Sequence, residues 1–311
     1  MIHDSDRPRP AAPGGSGPEP HADFDAFEAH GWENAAATYQ WFFDPITDRL
    51  IDPLLDVTGV SRGTTLLDVA CGHGNLSGRA AARGAHPWGV DVAEAMVASA
   101  RQAHPGIEFS RADACELPCA SETFDVAVSN FAILHLGEPE RGVAELARVL
   151  APGGKVALTV WDVPARARLF GWVTEALALA GAEPPDDIPP GPPFFRFADD
   201  EEMHRLLEGN GFEKTTIHTI AFTHTVASTD LVWTGIVGGT VRTAALVRNQ
   251  PPSVQRAIRA AFDEVVARES PGSQVVIPFS VKLASATNAK NPTRRTYRFV
   301  RVPASLSPRS G

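Results

Sequence analysis

Residues 66–75 read LLDVACGHGN: an apolar run containing Asp68, then Gly72 and Gly74 ahead of a helical stretch. Glycine at such places lets the backbone pass close to a ligand at the carboxyl edge of an open α/β sheet, where that architecture puts its binding crevice. About twenty residues on, the next apolar run, HPWGVD, ends in Asp91, an acid placed to accept hydrogen bonds from both hydroxyls of a ribose. Together the loop and the acid point to an adenosine-containing ligand. Outward from this stretch the same pattern repeats: TLLDVA, an Ala-rich segment, HPWGVD, AEAMVASARQA, IEFSRAD, FDVAVSNF, RGVAELARVL and KVALTVWD. Short apolar strands alternating with helices predict βαβ units and a parallel sheet. Pro152-Gly153-Gly154 is expected to stop the helix ending at Leu150 and turn the chain into the next strand.

The charge beside the loop discriminates between ligands. A dinucleotide fingerprint is GxGxxG wrapped on a pyrophosphate, whereas this loop reads AxGxG and has Asp68 beside it, which would repel a pyrophosphate and favour an amino group or a sulfonium. An NAD-dependent dehydrogenase is therefore disfavoured. The third strand ends in Arg111-Ala112-Asp113-Ala114, offering a side-chain acceptor for an adenine amino group and a backbone amide for a ring nitrogen.

With LLDVACGHG, VDVAEAMV, RADACELPCASETFDVAVSN, LHL and ELARVLAPGGKVAL in this order, the sequence resembles the class I S-adenosylmethionine-dependent methyltransferases, within them the small-molecule group that includes the ubiquinone/menaquinone-type (methyltransferase type 11) enzymes. The resemblance covers residues 64–160 and extends more loosely to Gly211. It implies an α/β fold: a Rossmann-like sheet of seven strands, mostly parallel with the last strand antiparallel, carrying helical cap additions. It implies S-adenosylmethionine as cofactor and S-adenosylhomocysteine as product. Carried over residue by residue, Asp68 and the backbone of Ala70, Gly72 and Gly74 would face the methionine moiety and Asp91 would hold the ribose. Val92 or Met96 would pack on adenine, Asp113 and Ala114 would read its edge, and Asn130 and Phe131 would lie beside the transferable methyl. Ala70 stands where a glycine is frequent. His73 stands where a small polar residue is usual, either as a tuning residue or as an exposed loop histidine.

Two catalytic candidates follow. His135, on the loop after the fourth strand, is a candidate general base because its ordinary pKa lies near neutrality; a loop-ordering role is the alternative. Tyr39, with Trp32, belongs to the amino-terminal helices that cover the cofactor in this family, and its hydroxyl would reach the donor or the acceptor unless it is core. The acceptor pocket is expected from Trp32, Trp161, Phe194, Phe195, Arg196, Phe197, Trp233 and Arg242, the aromatics suiting a hydrophobic or aromatic small molecule or else simply packing. Arg196 and Arg242 would recognise an anionic group on the acceptor or pair with surface acids.

The chain has 311 residues with 28 Lys+Arg against 37 Asp+Glu, a net charge of −9 that leaves no basic excess for nucleic acid. Three cysteines (Cys71, Cys115, Cys119) without paired spacing indicate neither a disulfide framework nor a metal site. No apolar run is long enough for a membrane span, so a cytoplasmic protein, monomer or homodimer, is expected. Residues 1–22 read as a disordered tail, 23–62 as a helical cap of two helices broken at Asp44-Pro45, and 63–287 as the methyltransferase domain with insertions at 163–198 and 229–269. Residues 288–311 read as a basic flexible tail. Within the domain, helices are expected near 165–181, 199–210, 229–249 and 252–269, and strands near 215–227 and 274–287. Only four of the basic residues are Lys, a bias that fits bacterial specialised metabolism. The alternative is a protein of this fold that binds the cofactor without transferring methyl, as a regulator or a cyclase.

Overall fold

The computed structural model describes residues 21–289. The two expected tails lie outside the described residues except at their inner ends: Ala22 opens the first helix, and the buried Asn288 closes the last strand. Its amide donates to the carbonyls of Ala147 and Leu150, both at 3.0 Å.

In chain order the elements are α1 (Ala22–Phe42), α2 (Asp44–Thr47), α3 (Ile51–Thr58), β1 (Thr65–Val69), α4 (Asn75–Ala82), β2 (His86–Asp91), α5 (Glu94–Ala103), β3 (Glu108–Arg111), β4 (Phe124–Asn130), α6 (Pro139–Val149) and β5 (Leu150–Trp161). There follow α7 (Arg168–Leu179), α8 (Asp200–Gly209), β6 (Phe212–Val226), α9 (Thr229–Gly239), α10 (Arg242–Arg248), α11 (Pro252–Glu269) and β7 (Val275–Asn288). The seven strands form one sheet in the order β3-β2-β1-β4-β5-β7-β6. β1 to β5 run parallel, and β7 lies antiparallel between β5 and β6. This is the seven-strand, mostly parallel sheet expected, with its last strand reversed.

Two-sided burial explains the lack of polar alternation in the inner strands: Leu66, Leu67, Ala127, Val128, Val156, Ala157 and Leu158 are all sealed from solvent. Strand order reverses between β1 and its two partners, β2 and β4, so their carboxyl ends open a crevice there. Helix boundaries follow local chemistry. The Asp199 carboxylate caps α8 by accepting from the amides of Glu201 and Glu202, and the Ser228 hydroxyl caps α9 through the Leu231 amide.

Two expectations need correcting. The Pro152-Gly153-Gly154 segment is taken into β5: Leu150 already sits opposite Phe124, and after an irregularity the register resumes with Lys155 opposite Val126. The helix expected over 229–249 is broken between Gly239 and Arg242, where Thr240 has an extended backbone that ends α9.

α1 lies across the crevice as a roof, and its close approach depends on small residues of α9. A Cβ on Gly235 would stand 2.2 Å from the Phe42 ring, one on Gly238 2.7 Å from Thr38, and one on Gly239 3.0 Å from Phe43. The other side of α1 docks on α5, whose amino-terminal Ala95 amide is accepted by the Glu33 carboxylate at 3.1 Å. Among the described residues no helix is long and apolar enough to cross a membrane, and Cys71, Cys115 and Cys119 are buried and unpaired.

Candidate functional site

The carboxyl ends of β1, β2 and β4, the loop after β3 and the underside of α1 enclose a cavity of about 340 Å³. Two of those strands leave the sheet through strained turns. Ala70 at φ +59° and Phe131 at φ +60° occupy the left-handed region that non-glycine residues avoid, and both line the cavity. Gly72, at φ +53°, has no atom of the described residues within 4 Å of the place a Cβ would take, so its backbone is bare toward the cavity.

Twelve expected site residues converge on this space: Trp32 and Tyr39 from α1, Ala70 and Gly72 from the glycine loop, and Asp91, Val92 and Met96 after β2. Asp113, Ala114, Asn130, Phe131 and His135 complete the set. Asp91 holds the loop shape while it faces the cavity: Oδ2 accepts from the Gly72 amide at 2.9 Å and Oδ1 from the Ala93 amide at 3.0 Å. A carboxylate has about four lone-pair sites, so two remain for a ligand. Asp113 spends one oxygen on the Cys115 amide, at 2.8 Å. Asn130 is committed to the protein, accepting from Thr159 at 2.6 Å and donating to the Thr47 carbonyl at 3.3 Å.

A smaller recess adjoins the cavity through Tyr39, Ala70, Gly72 and Asn130, and holds Asp44, Asp48, Asp68 and His73. Burial pushes Asp68 up to about 7, against the opposing hydrogen bonds that its Oδ2 accepts from the Ser77 amide and hydroxyl. Burial likewise pushes Asp48 up to about 6 and raises Asp91. The Tyr39 phenol, buried near Asp44, Asp48 and Asp91, is driven well above its ordinary range and stays a donor, not a base. His73 is not the exposed loop histidine: it is 4 % exposed, with Nδ1 2.9 Å from Asp44.

The raised acids make a testable stability claim. An Asp whose folded pKa exceeds the unfolded value binds more protons when folded, so stability falls as pH rises from about 4 toward 7. Asp68→Asn removes that cost and should raise the melting temperature of the ligand-free protein clearly at pH 8 and little at pH 5. An equal shift at both would show that Asp68 carries no such cost.

Next to the cavity lies a narrow aromatic slot of about 30 Å³, lined by Phe43, Trp161, Phe170, Phe194 and the chain from Gly239 to Thr243. It meets the large cavity at Trp32, Tyr39, Phe131 and His135, which line both. Trp161 stacks on Phe131 with ring centroids 4.0 Å apart.

Several expected residues go elsewhere. Gly74 lies outside the cavity; its Cβ would meet Phe109 at 2.8 Å, so it serves helix packing. Arg196 is paired with Glu140 at 2.8 Å and Glu202 at 2.9 Å, away from both spaces, and Phe195 packs behind Phe194. Phe197 is core, and Trp233 packs on Phe262. Arg242 does line the slot, its guanidinium paired with Glu28 and donating to the Pro192 carbonyl at 2.8 Å and to the Leu134 carbonyl. Sequence reasoning missed Asp25, Ala26, Glu28 and Ala29, which line the roof of the cavity. The available signal was Glu28 standing on the apolar stripe Phe24, Glu28, Trp32, Ala35, Tyr39 of α1.

Residues 67–158 match the family model described as "Methyltransferase domain". Over those residues the chain is similar to methyltransferases. Over 105 residues it is 37% identical to demethylmenaquinone methyltransferase of Clavibacter sepedonicus, covering 33% of this chain and 43% of that protein. Over 137 residues it is 32% identical to 27-O-demethylrifamycin SV methyltransferase of Amycolatopsis mediterranei, covering 42% of this chain and 49% of that one. The chain thus spans less than half the length of these two relatives. Among solved structures, the YcgJ protein of Bacillus subtilis superposes with a TM-score of 0.53 at 15% identity, over 78% of this chain and all of that one (100%). The methyltransferase domain therefore shares its fold with that protein, while sequence likeness is concentrated in β1 to β5.

Proposed function

We infer that this protein transfers a methyl group from S-adenosylmethionine to a small-molecule acceptor with an apolar or aromatic body. The observation that carries the reading is the charge of the site. Asp25, Glu28, Asp91 and Asp113 line the main cavity and Asp44, Asp48 and Asp68 the recess, while among the described residues no lysine or arginine lines either. Such a surface repels a pyrophosphate and suits a ligand carrying an ammonium and a sulfonium. The size of the cavity falls within the range of small-ligand pockets.

The residues fit that donor. Asp91 offers two free lone-pair directions to a ribose, Met96 and Val92 supply apolar wall for a base, and Asp113 and Ala114 stand at its far end. The bare Gly72 backbone and the acidic recess suit the amino-acid end. When bound, the donor supplies an electrophilic methyl that is intrinsically reactive, so the chain's part is to position and to exclude water. The junction at Trp32, Tyr39, Phe131 and His135 is where donor and acceptor would meet. The relatives named for demethylmenaquinone and 27-O-demethylrifamycin SV support a metabolite acceptor, and the acid-lined site disfavours a nucleic acid.

Calorimetric titration with S-adenosylmethionine, S-adenosylhomocysteine and NAD tests this. The first two should bind and NAD should not. A cationic ligand also lowers the raised pKa values of Asp48 and Asp68, so binding near pH 6.5 should release protons and strengthen as pH rises. The release is read as an apparent enthalpy that depends on the buffer's ionisation enthalpy. NAD binding, or no binding by either adenosyl compound, would overturn the reading.

A further inference from the structure

Glu28 is a carboxylate 4 % exposed on the buried stripe of α1, held by two hydrogen bonds and an ion pair. Its Oε2 accepts from Trp32 Nε1 at 3.0 Å and lies 3.1 Å from His135 Nδ1, while its Oε1 lies 3.0 Å from Arg242 Nε. With Oε2 already accepting from the Trp32 indole, the hydrogen bond to His135 is assigned with Nδ1 as its donor. That leaves Nε2 bare in the neutral ring. Among the described residues Nε2 has no hydrogen-bond partner, and the ring lines both the main cavity and the aromatic slot. Trp32 and Phe194 stand edge-on to the imidazole, with centroids 4.8 and 5.6 Å away, and hold its plane.

We propose that Glu28 is a positioning residue that fixes His135 as a proton acceptor, and that the acceptor is an aromatic compound methylated on a ring hydroxyl. The inference rests on the methyl-donor reading above. A hydroxyl is the nucleophile that gains most from such a base, because it must lose its proton as it attacks, whereas a neutral amine attacks with its lone pair. The aromatic body follows from the slot: Phe131, Trp161, Phe170 and Phe194 offer ring faces and edges beside His135. The hydroxyl proton passes to Nε2 while the oxygen bonds to the methyl carbon, the carbon–sulfur bond breaks with its electron pair on sulfur, and the imidazolium later loses the proton to solvent.

The slot holds only about 30 Å³, so a ring enters by moving part of its wall. Arg242 marks that part. Its guanidinium ties Glu28 to the carbonyl of Pro192 in the proline-rich loop, and it stacks 5.0 Å from both Phe24 and Phe194. The loop that carries Phe194 is thereby pinned to the residue that orients the base, so a ring that displaces Phe194 works against a latch adjoining the dyad.

The test uses the full chain with ¹⁵N-labelled imidazoles, long-range proton–nitrogen correlation, and His135→Asn to assign the signal. With and without S-adenosylhomocysteine, His135 should carry its proton on Nδ1. Glu28→Met should move it predominantly to Nε2. Because Glu28→Met strands a buried arginine charge, the double variant Glu28→Met/Arg242→Met, which removes both charges, should show the same move. A wild-type ring protonated on Nε2, or a tautomer unchanged in the double variant, overturns the positioning role. Turnover with 2-naphthol, catechol and 2-naphthylamine tests the acceptor class. The hydroxyl probes should be O-methylated and the amine left unchanged, and Glu28→Met should cut kcat about 100-fold with KM within about threefold. Methylation of the amine or of ring carbon, or no methylation of either hydroxyl probe, overturns it. S-adenosylhomocysteine binding on the same samples separates failure of the donor reading from failure of the dyad, which the ligand-free spectrum reports independently.

Discussion

Asp91→Ala should lower affinity for S-adenosylhomocysteine about a thousandfold. The carboxylate accepts the Gly72 and Ala93 amides through separate oxygens, so it both shapes the loop and faces the cavity. Under the proposed function its two remaining lone-pair directions take a ribose diol, and hydrogen bonds to a charged acceptor contribute about 1.5–3 kcal/mol each. Losing two amounts to roughly 4 kcal/mol, which is about three decades of affinity. Folding should change much less: removing a charge that burial disfavours offsets part of the cost of two unpaired amides. Asp91→Asn, which keeps one acceptor oxygen, should fall between the two. Calorimetry gives the affinity and a thermal melt the control. An affinity loss below about tenfold in a folded Asp91→Ala protein would mean that the ligand does not use this carboxylate.

The second large effect is expected far from any ligand. Gly235→Leu drives a side chain into the Phe42 ring, with its first carbon already at 2.2 Å. Phe42 is 2 % exposed and wedged edge-on against Phe43, so it has nowhere to swing. α1 must move, and overpacking of this kind costs about 1–3 kcal/mol. The same helix carries Glu28, Trp32 and Tyr39, and a displacement of about 1 Å at reacting groups can lower turnover roughly 100-fold. Gly235→Leu should therefore lower the melting temperature and turnover together. Gly209→Ala is the matched control: nothing lies within 4 Å of its Cβ position, so it should leave both unchanged or slightly raise stability. If Gly235→Leu melts and turns over like wild type, the tight α1–α9 contact is not what seats the roof.

What the chain shows before it is folded is uneven. The inner strands were legible because each centres on a short apolar run sealed on both faces, and Asp91 and Asp113, at or just past the ends of β2 and β3, line the cavity. The two glycines of the loop could not be told apart: Gly72 is bare toward the cavity, Gly74 is small for Phe109, and both requirements read as the same letter. His73 looked exposed because Asp44, its partner, lies on a distant element of the chain. Arg196 and Arg242 looked equivalent, and only the fold shows that one faces surface acids and the other a buried carboxylate. Glu28 was hidden by its type, since a glutamate in a helix suggests a solvated face until its neighbours on the stripe, Phe24 and Ala35, prove to be core.

The position of β7 bears on how the molecule is made. Among the described residues it is the last strand in chain order yet an inner strand of the sheet, between β5 and β6. About fifty residues separate the end of β6 from the start of β7, which at about 5–20 residues per second is several seconds of translation. Over that interval β5 and β6 both lack the neighbour that lies between them in the sheet, although the strands that end at the cavity have already been synthesised. β6 suits the wait: its sequence, FEKTTIHTIAFTHTV, interleaves threonines, histidines and a Glu-Lys pair with its apolar residues, a composition that discourages pairing between nascent chains.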